Sequence, residues 1–538
     1  MYNSEELKIV KACNIAIRNI IKEGTTDVLI FNKPYEIELL KDPSIRGEIV
    51  KDIVERISKY DLKELGINKI DHVLFPKKNF GDYRKCALID IEDEIKYLTI
   101  VLMMAEKIEQ KRINKSEDRV FSYRLKTIRN NDNIFDSDYT YTSFRQKVIE
   151  KSKMNKNKVI LECDISNFYD RLNLHRLEST LHSMGIDTEL VKLLNELLLF
   201  WSNRDSYGLP VGSNASRILA EAELSQIDDF LISRKIDFCR FVDDYRIFCK
   251  NSIEAHRILI MLIERLGKDG LFLNCSKTKI KLIDKNNIKE EIKEIKNDNK
   301  EIYLQEKSEK NTNLSKVISG YSGLIPVKYK QLTETNKKKL QEEDEIQKIK
   351  ELKENLLIDP KDFKRVIDII MAKEDYNKFT ELSEIINKFP QFIPLYYDVL
   401  SKSQADISDD NIEKIKENLK EWMAKEELPE YILIYIARIF SIERFFDKEV
   451  ILDMYRKLNR NSGNYIPRAL LECLEEKLER SDIIELKNDY YQNANNWEKR
   501  EIIRIVKKGL YEKEAGPFLK DIKINANNSI IMKYVLLR

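Results

Sequence analysis

From residue 1 to about 75, charged and apolar positions alternate at helical spacing. A turn-rich stretch, PKKNFGDYRK, follows at 76–85. Ile95, Leu98, Leu102, Ala105 and Ile108 then share one stripe, which predicts an amphipathic helix. KVILECDISNFY, at 158–169, reads as a strand that runs into a turn. A helical run covers 174–201, and a small turn, YGLPVGS, leads into a helix through about 236. FCRFVDDYRIFC reads as a hairpin with DD at its tip: Phe238, Phe241 and Val242 precede the pair, and Tyr245, Ile247 and Phe248 follow it. A helix at 253–266 and a short strand, LFLN, come before SKTK at 276–279.

The pattern then changes. From Lys285 to about Leu356 the chain is dense in Lys, Glu and Asn, interrupted by SGYSGLIPVKY, and predicts a linker or peripheral element. From about 360 onward the spacing is helical almost throughout. EYILIYIARIF (430–440) is apolar on all sides, as a buried helix is. Breaks at Pro390, Pro429, Gly463 and Gly516 suggest stacked helical hairpins, although no fixed sequence period marks them.

Composition narrows this picture in three ways. A chain of 538 residues exceeds what one core usually supports, so at least two domains are expected. The 94 basic and 92 acidic residues leave a formal charge of only +2, so any basic groove for a polyanion must be local. The seven cysteines (Cys13, Cys86, Cys163, Cys239, Cys249, Cys275 and Cys473) form no CxxC pair, and the four histidines show no metal-ligand spacing. That suits reduced thiols in a cytoplasm and argues against zinc. No stretch is apolar for long enough to span a bilayer, so a soluble, cytoplasmic protein with no membrane partner is expected.

Two DD pairs compete as chemical sites. Asp228-Asp229 falls in a helical pattern and is taken as a solvated helix face. Asp243-Asp244 spends a hairpin tip on two like charges, where Asn-Gly or Asp-Gly is usual. A divalent cation would neutralise them. Asp164, near the end of VILECDISNFYD, supplies a third carboxylate. One carboxylate on a strand beside two on a hairpin is what two-metal phosphoryl transfer requires, and hard oxygen ligands suit Mg²⁺, with Mn²⁺ as a substitute.

At this point the sequence resembles the reverse transcriptases. DISNFYD is similar to their motif A, GLPVGSNAS (208–216) to motif B, FVDD (241–244) to motif C and LNCSKTK (273–279) to motif D. FPKKNFGDYRKCALIDIEDEI (75–95) resembles the fingers segment of group II intron and retron enzymes, and FSYRL (121–125) the segment after it. The resemblance implies an α+β fold of the right-hand polymerase type, fingers and palm, followed here by an all-α, repeat-like C-terminal domain. It implies that Asp164, Asp243 and Asp244 are catalytic and, with the carbonyl of Ile165, hold two Mg²⁺ ions. Tyr169 takes the place of the ring that excludes a ribose 2′-hydroxyl. Lys77 and Arg84 match the cations that grip the incoming triphosphate. Gly212 would let the backbone approach the nucleotide. Lys277, with Lys279 as rival, matches the lysine that protonates pyrophosphate, and Arg124 is a candidate template or nucleotide contact.

The expected domains are 1–150 (N-terminal helices and fingers), 151–284 (palm), 285–356 (charged linker or thumb-like element) and 357–538 (helical repeats). Phe241 stands where Tyr is usual and Val211 where retroviral enzymes carry Gln. A polymerase core with a long helical tail resembles the prokaryotic abortive-infection and defence-associated reverse transcriptases. That implies a homo-oligomer that uses dNTPs with an RNA template, a DNA product, or a cognate non-coding RNA. A retron or group II intron-like enzyme copying its own RNA is the alternative. A helical-repeat interaction protein with a degenerate polymerase domain is the alternative of another class. The tail tyrosines Tyr396, Tyr397, Tyr431, Tyr435, Tyr490, Tyr491 and Tyr511 are expected to be mostly core or surface residues, and one would carry the product only if synthesis is protein-primed.

Overall fold

The structure is a computed structural model that describes residues 3–537, apart from 27, 29–30, 32–33, 78–82, 127–132, 285–328, 330–331, 333, 426, 459–464 and 526–528. The chain divides into two compact units, and the division does not follow the sequence order. One unit is residues 1–70 with 89–320; the other is residues 71–88 with 321–538.

The first unit is built on a four-stranded antiparallel sheet. β3 (Val159–Asp164) lies between β5 (Asp244–Cys249) and β6 (Lys279–Leu282), and β4 (Asp237–Phe241) pairs with the far side of β5. Period-2 patterning explains the sheet: in β3, Val159, Leu161 and Cys163 are buried while Ile160, Glu162 and Asp164 are partly exposed. Helix Ile91–Lys111 is capped by Asp90 and buries Ile95, Leu98, Leu102, Ala105 and Ile108, the stripe expected of it. It packs on helices Ser4–Glu23 and Asn214–Ser233. The LFLN segment is not a strand. Leu273 forms a single bridge to Ile165, and the fourth strand begins at Lys279 instead.

The second unit holds a hairpin, β1 (Asp71–Pro76) with β2 (Tyr83–Leu88), together with the C-terminal helices. From Pro360 onward the described elements are all helices, and the hairpin, which falls where helical spacing and a turn-rich stretch were expected among residues 1–150, is grouped with them. Along the tail each helix packs on the next but one: Ile393–Ser403 on Glu430–Phe440, that on Ile466–Leu474, and that on Asn496–Gly509. Part of the expected linker is structured: Glu334–Gln341 and Glu345–Glu354 are helices packed on Pro360–Lys373. Residues 285–328 of that stretch, and the expected break at Gly463, lie outside the described residues. Pro429 caps helix Glu430–Phe440 as expected, but Gly516 lies inside helix Glu512–Asn525. Among the described residues no helix is long and apolar enough to cross a membrane.

Candidate active site

Strand register assembles the carboxylates. Asp164 ends β3 directly opposite Asp244, which starts β5, and Asp244 also pairs with Phe241 across the β4–β5 turn. Asp243 is thereby left at a two-residue tip. Val242 opens that tip with φ +54°, a left-handed conformation that a β-branched residue resists. The carbonyl of Asp243 accepts the N–H of Ile165 at 3.1 Å, which ties the tip to the end of β3. The loop after Gly270 closes the third side: Ser166 N–H donates to Phe272 O and Asn274 N–H to Asp164 O, both at 2.7 Å.

That loop carries Lys277 to the site. Its Nζ lies 3.0 Å from both carboxylate oxygens of Asp164. Lys279 instead stands in β6 opposite Glu162. Of the two lysines, Lys277 is the one brought to the carboxylates. Arg246 pairs with Asp244 and stands 3.5 Å from Glu162. Burial pushes the Asp243 carboxyl up to about 7, helped by the charges of Asp164 and Asp244 and opposed by Lys277. Burial also raises Asp244, against the pull of Arg246.

Among the described residues, no three His, Cys, Asp or Glu side chains stand close enough to hold a metal ion as they are. Lys277 pairs with Asp164, and Arg246 with Asp244. The donor set itself fits a hard divalent cation. It is all carboxylate, and partly buried Asp243 stands beside two like charges that a cation would neutralise.

Motifs A and B are laced together. Leu209 N–H donates to Tyr169 O, and Gly208 N–H to Leu172 O, both at 2.9 Å. Tyr169 is 7% exposed, with its ring 5.6 Å from that of Phe168. Gly212 was expected to make room for a nucleotide; the atom it makes room for is in the protein. At its φ of +118° a Cβ would stand 2.8 Å from Thr26 Oγ1. Ser213 next to it caps helix Asn214–Ser233 and donates to Glu94 at 2.7 Å, whose carboxyl burial pushes up to about 8.

Two sequence readings need correction. Arg124 is not a nucleic-acid contact: it is 2% exposed, pairs with Glu109 at 2.7 Å and donates to Ile113 O at 2.8 Å. Asp228 is not on a solvated face but is buried against Arg240, while Asp229 beside it is exposed. Lys77 directly follows β1, and Arg84 stands in β2 opposite Phe75, so both belong to the second unit. Sequence reasoning missed Arg240 and Arg246, although two arginines flanking FVDD inside strands were a visible signal.

Residues 76–314 match the family model described as reverse transcriptase (RNA-dependent DNA polymerase). The match covers less than half of the chain. Among solved structures, Candida albicans telomerase in complex with a fragment of telomeric RNA is similar at 12% identity and a TM-score of 0.29. That likeness covers 75% of this chain and 66% of the telomerase chain, just under two thirds. Apo telomerase from Candida tropicalis is similar at 12% identity and a TM-score of 0.30, over 80% of this chain and 74% of that one. Scores this low assign neither substrate nor architecture. No curated protein matches the sequence.

Proposed function

We propose that the chain extends DNA by two-metal nucleotidyl transfer at Asp164, Asp243 and Asp244. The observation that carries this reading is the register: two carboxylates face each other across β3 and β5, and the third sits at the tip between β4 and β5. Bound there and at the Ile165 carbonyl, Mg²⁺ would supply the charge that activates a 3′-hydroxyl and steadies the pyrophosphate leaving group. Lys277, 3.0 Å from Asp164, would give the pyrophosphate its proton. The Tyr169 ring faces the sugar.

Tyr169→Ala is expected to raise ribonucleotide use relative to deoxynucleotide, by about tenfold or more, because a methyl leaves space for the 2′-hydroxyl. A dNTP/rNTP competition assay reads it; an unchanged ratio would make Tyr169 a core residue only.

Anti-phage defence, oligomer formation and use of a non-coding RNA are proposed on the resemblance of a polymerase core with a helical tail to the abortive-infection enzymes. Sequencing the nucleic acid that co-purifies with the protein tests the mode. One defined RNA with its complementary DNA supports templated copying. DNA of no fixed template supports untemplated synthesis. DNA that cannot be stripped from the protein would direct attention to Tyr511, which is 79% exposed while Tyr396, Tyr431, Tyr435 and Tyr491 are buried. Absence of any product, with no dNTP incorporation, would sink the proposal.

A further inference from the structure

Beneath the DD turn lies a cluster of buried charges. Arg240, in β4, is 0% exposed. Its guanidinium grips Asp228 twice, Nε to Oδ1 at 2.8 Å and Nη2 to Oδ2 at 2.6 Å. It also reaches both oxygens of Glu221, at 3.1 and 3.0 Å. Glu221 and Asp228 are two turns apart on helix Asn214–Ser233, so they share a face. Arg112 joins the cluster through Glu221 at 2.5 Å, and it also donates to the carbonyls of Ser122 and Tyr123 at 2.7 and 2.9 Å.

Buried ion clusters seldom stabilise a protein better than apolar packing of the same shape would. This one therefore asks for another reason, and one contact supplies it. Arg240 Nη1 donates to the carbonyl of Val242 at 3.0 Å. Val242 is the residue held at φ +54°, and the residue after it is Asp243. A Val prefers negative φ, so the turn that presents both motif C carboxylates is held against its own preference.

We infer that Arg240, fixed by Glu221 and Asp228, is a positioning residue that clamps the strained Val242 and so aims Asp243 and Asp244. This rests on the active-site reading proposed above and adds a part to it. The clamp is made from the helix that follows motif B, so that helix, β4 and the motif C turn act as one rigid block. Arg240 itself touches no reacting atom.

The test is a rescue in the full-length protein. Arg240→Lys keeps the charge but gives up the planar two-sided grip. It is expected to lower kcat for primer extension about a hundredfold with little change in KM for dNTP, because a small misplacement of reacting groups costs that much. Val242→Gly removes the strain, since Gly accepts positive φ freely. Placed in the Arg240→Lys background, it is expected to restore kcat by about tenfold. A merely structural Arg240 would not be rescued by a change at the tip. Should Arg240→Lys fail to fold by circular dichroism, Asp228→Asn, which keeps the shape, carries the same pair of measurements. A folded variant with wild-type kcat, or a loss that Val242→Gly does not relieve, overturns the inference. The function reading fails separately, if Asp243→Asn retains activity.

Discussion

Asp243→Asn is expected to abolish primer extension, by about a thousandfold or more, and to leave the fold intact. The loss follows from what the side chain is for. Removing one preorganised charge from a site that stabilises a transition state already costs about 10²–10³ in kcat, and a metal ligand is asked for at least that. The intact fold follows from which atoms hold the turn. The bond to Ile165 uses the Asp243 backbone carbonyl, and the clamp from Arg240 uses that of Val242, so neither depends on the carboxylate. The partly buried carboxylate stands beside Asp164 and Asp244, and an amide of the same shape relieves that repulsion. The melting temperature in metal-free buffer is therefore expected not to fall. Asp229→Asn is the matched control: Asp229 is exposed, so activity and stability should change little. Asp228→Asn is no such control, because Asp228 is bound to Arg240. Near wild-type extension by Asp243→Asn in Mg²⁺ would remove motif C from the mechanism.

The carboxylate site was legible because its logic is local. An acid pair with strand formers on both sides leaves only a hairpin tip for the acids. VILECD alternates so that Glu162 and Asp164 share the partly exposed face. What the sequence hid was partnership. FSYRL places Arg124 in a motif but says nothing of Glu109, fifteen residues upstream, which holds it inside. Asp228 was readable in hindsight: on its helix it lies between Leu224 and Leu231, both buried, so it falls on the apolar stripe rather than opposite it. Gly212 shows the same limit, since its need for Gly comes from Thr26 on a distant segment. The hairpin at 71–88 was hidden most completely. Its packing partner is Tyr431, and nothing local in either segment points to the other.

That pairing sets the second large effect. A chain ended after Ile325 is expected to lose dNTP incorporation at ordinary nucleotide concentrations, although it keeps Asp164, Asp243 and Asp244. β1 and β2 form a two-stranded sheet, and such a hairpin is marginal in water without something to pack on. Here it packs on helix Glu430–Phe440: Tyr431 lies with its ring 6.4 Å from that of Phe75 and 6.2 Å from that of Tyr83. Phe75 and Tyr431 are each 2% exposed. Losing the helix would bare Phe75, at about 1.5–3 kcal/mol, and free the strand on which Arg84 stands opposite it. Tyr431→Ala is the milder version. It removes the ring that packs on Phe75 and Tyr83 and should lower the melting temperature by several degrees, read by circular dichroism. Proteolysis adds an independent reading. A cut within 285–328 leaves residues 71–88 on the N-terminal fragment yet folded into the C-terminal unit, so the two fragments should co-elute and remain active. An isolated N-terminal fragment with wild-type KM for dNTP would show that the hairpin stands without the tail, and would return the helical region to the status of a tethered module.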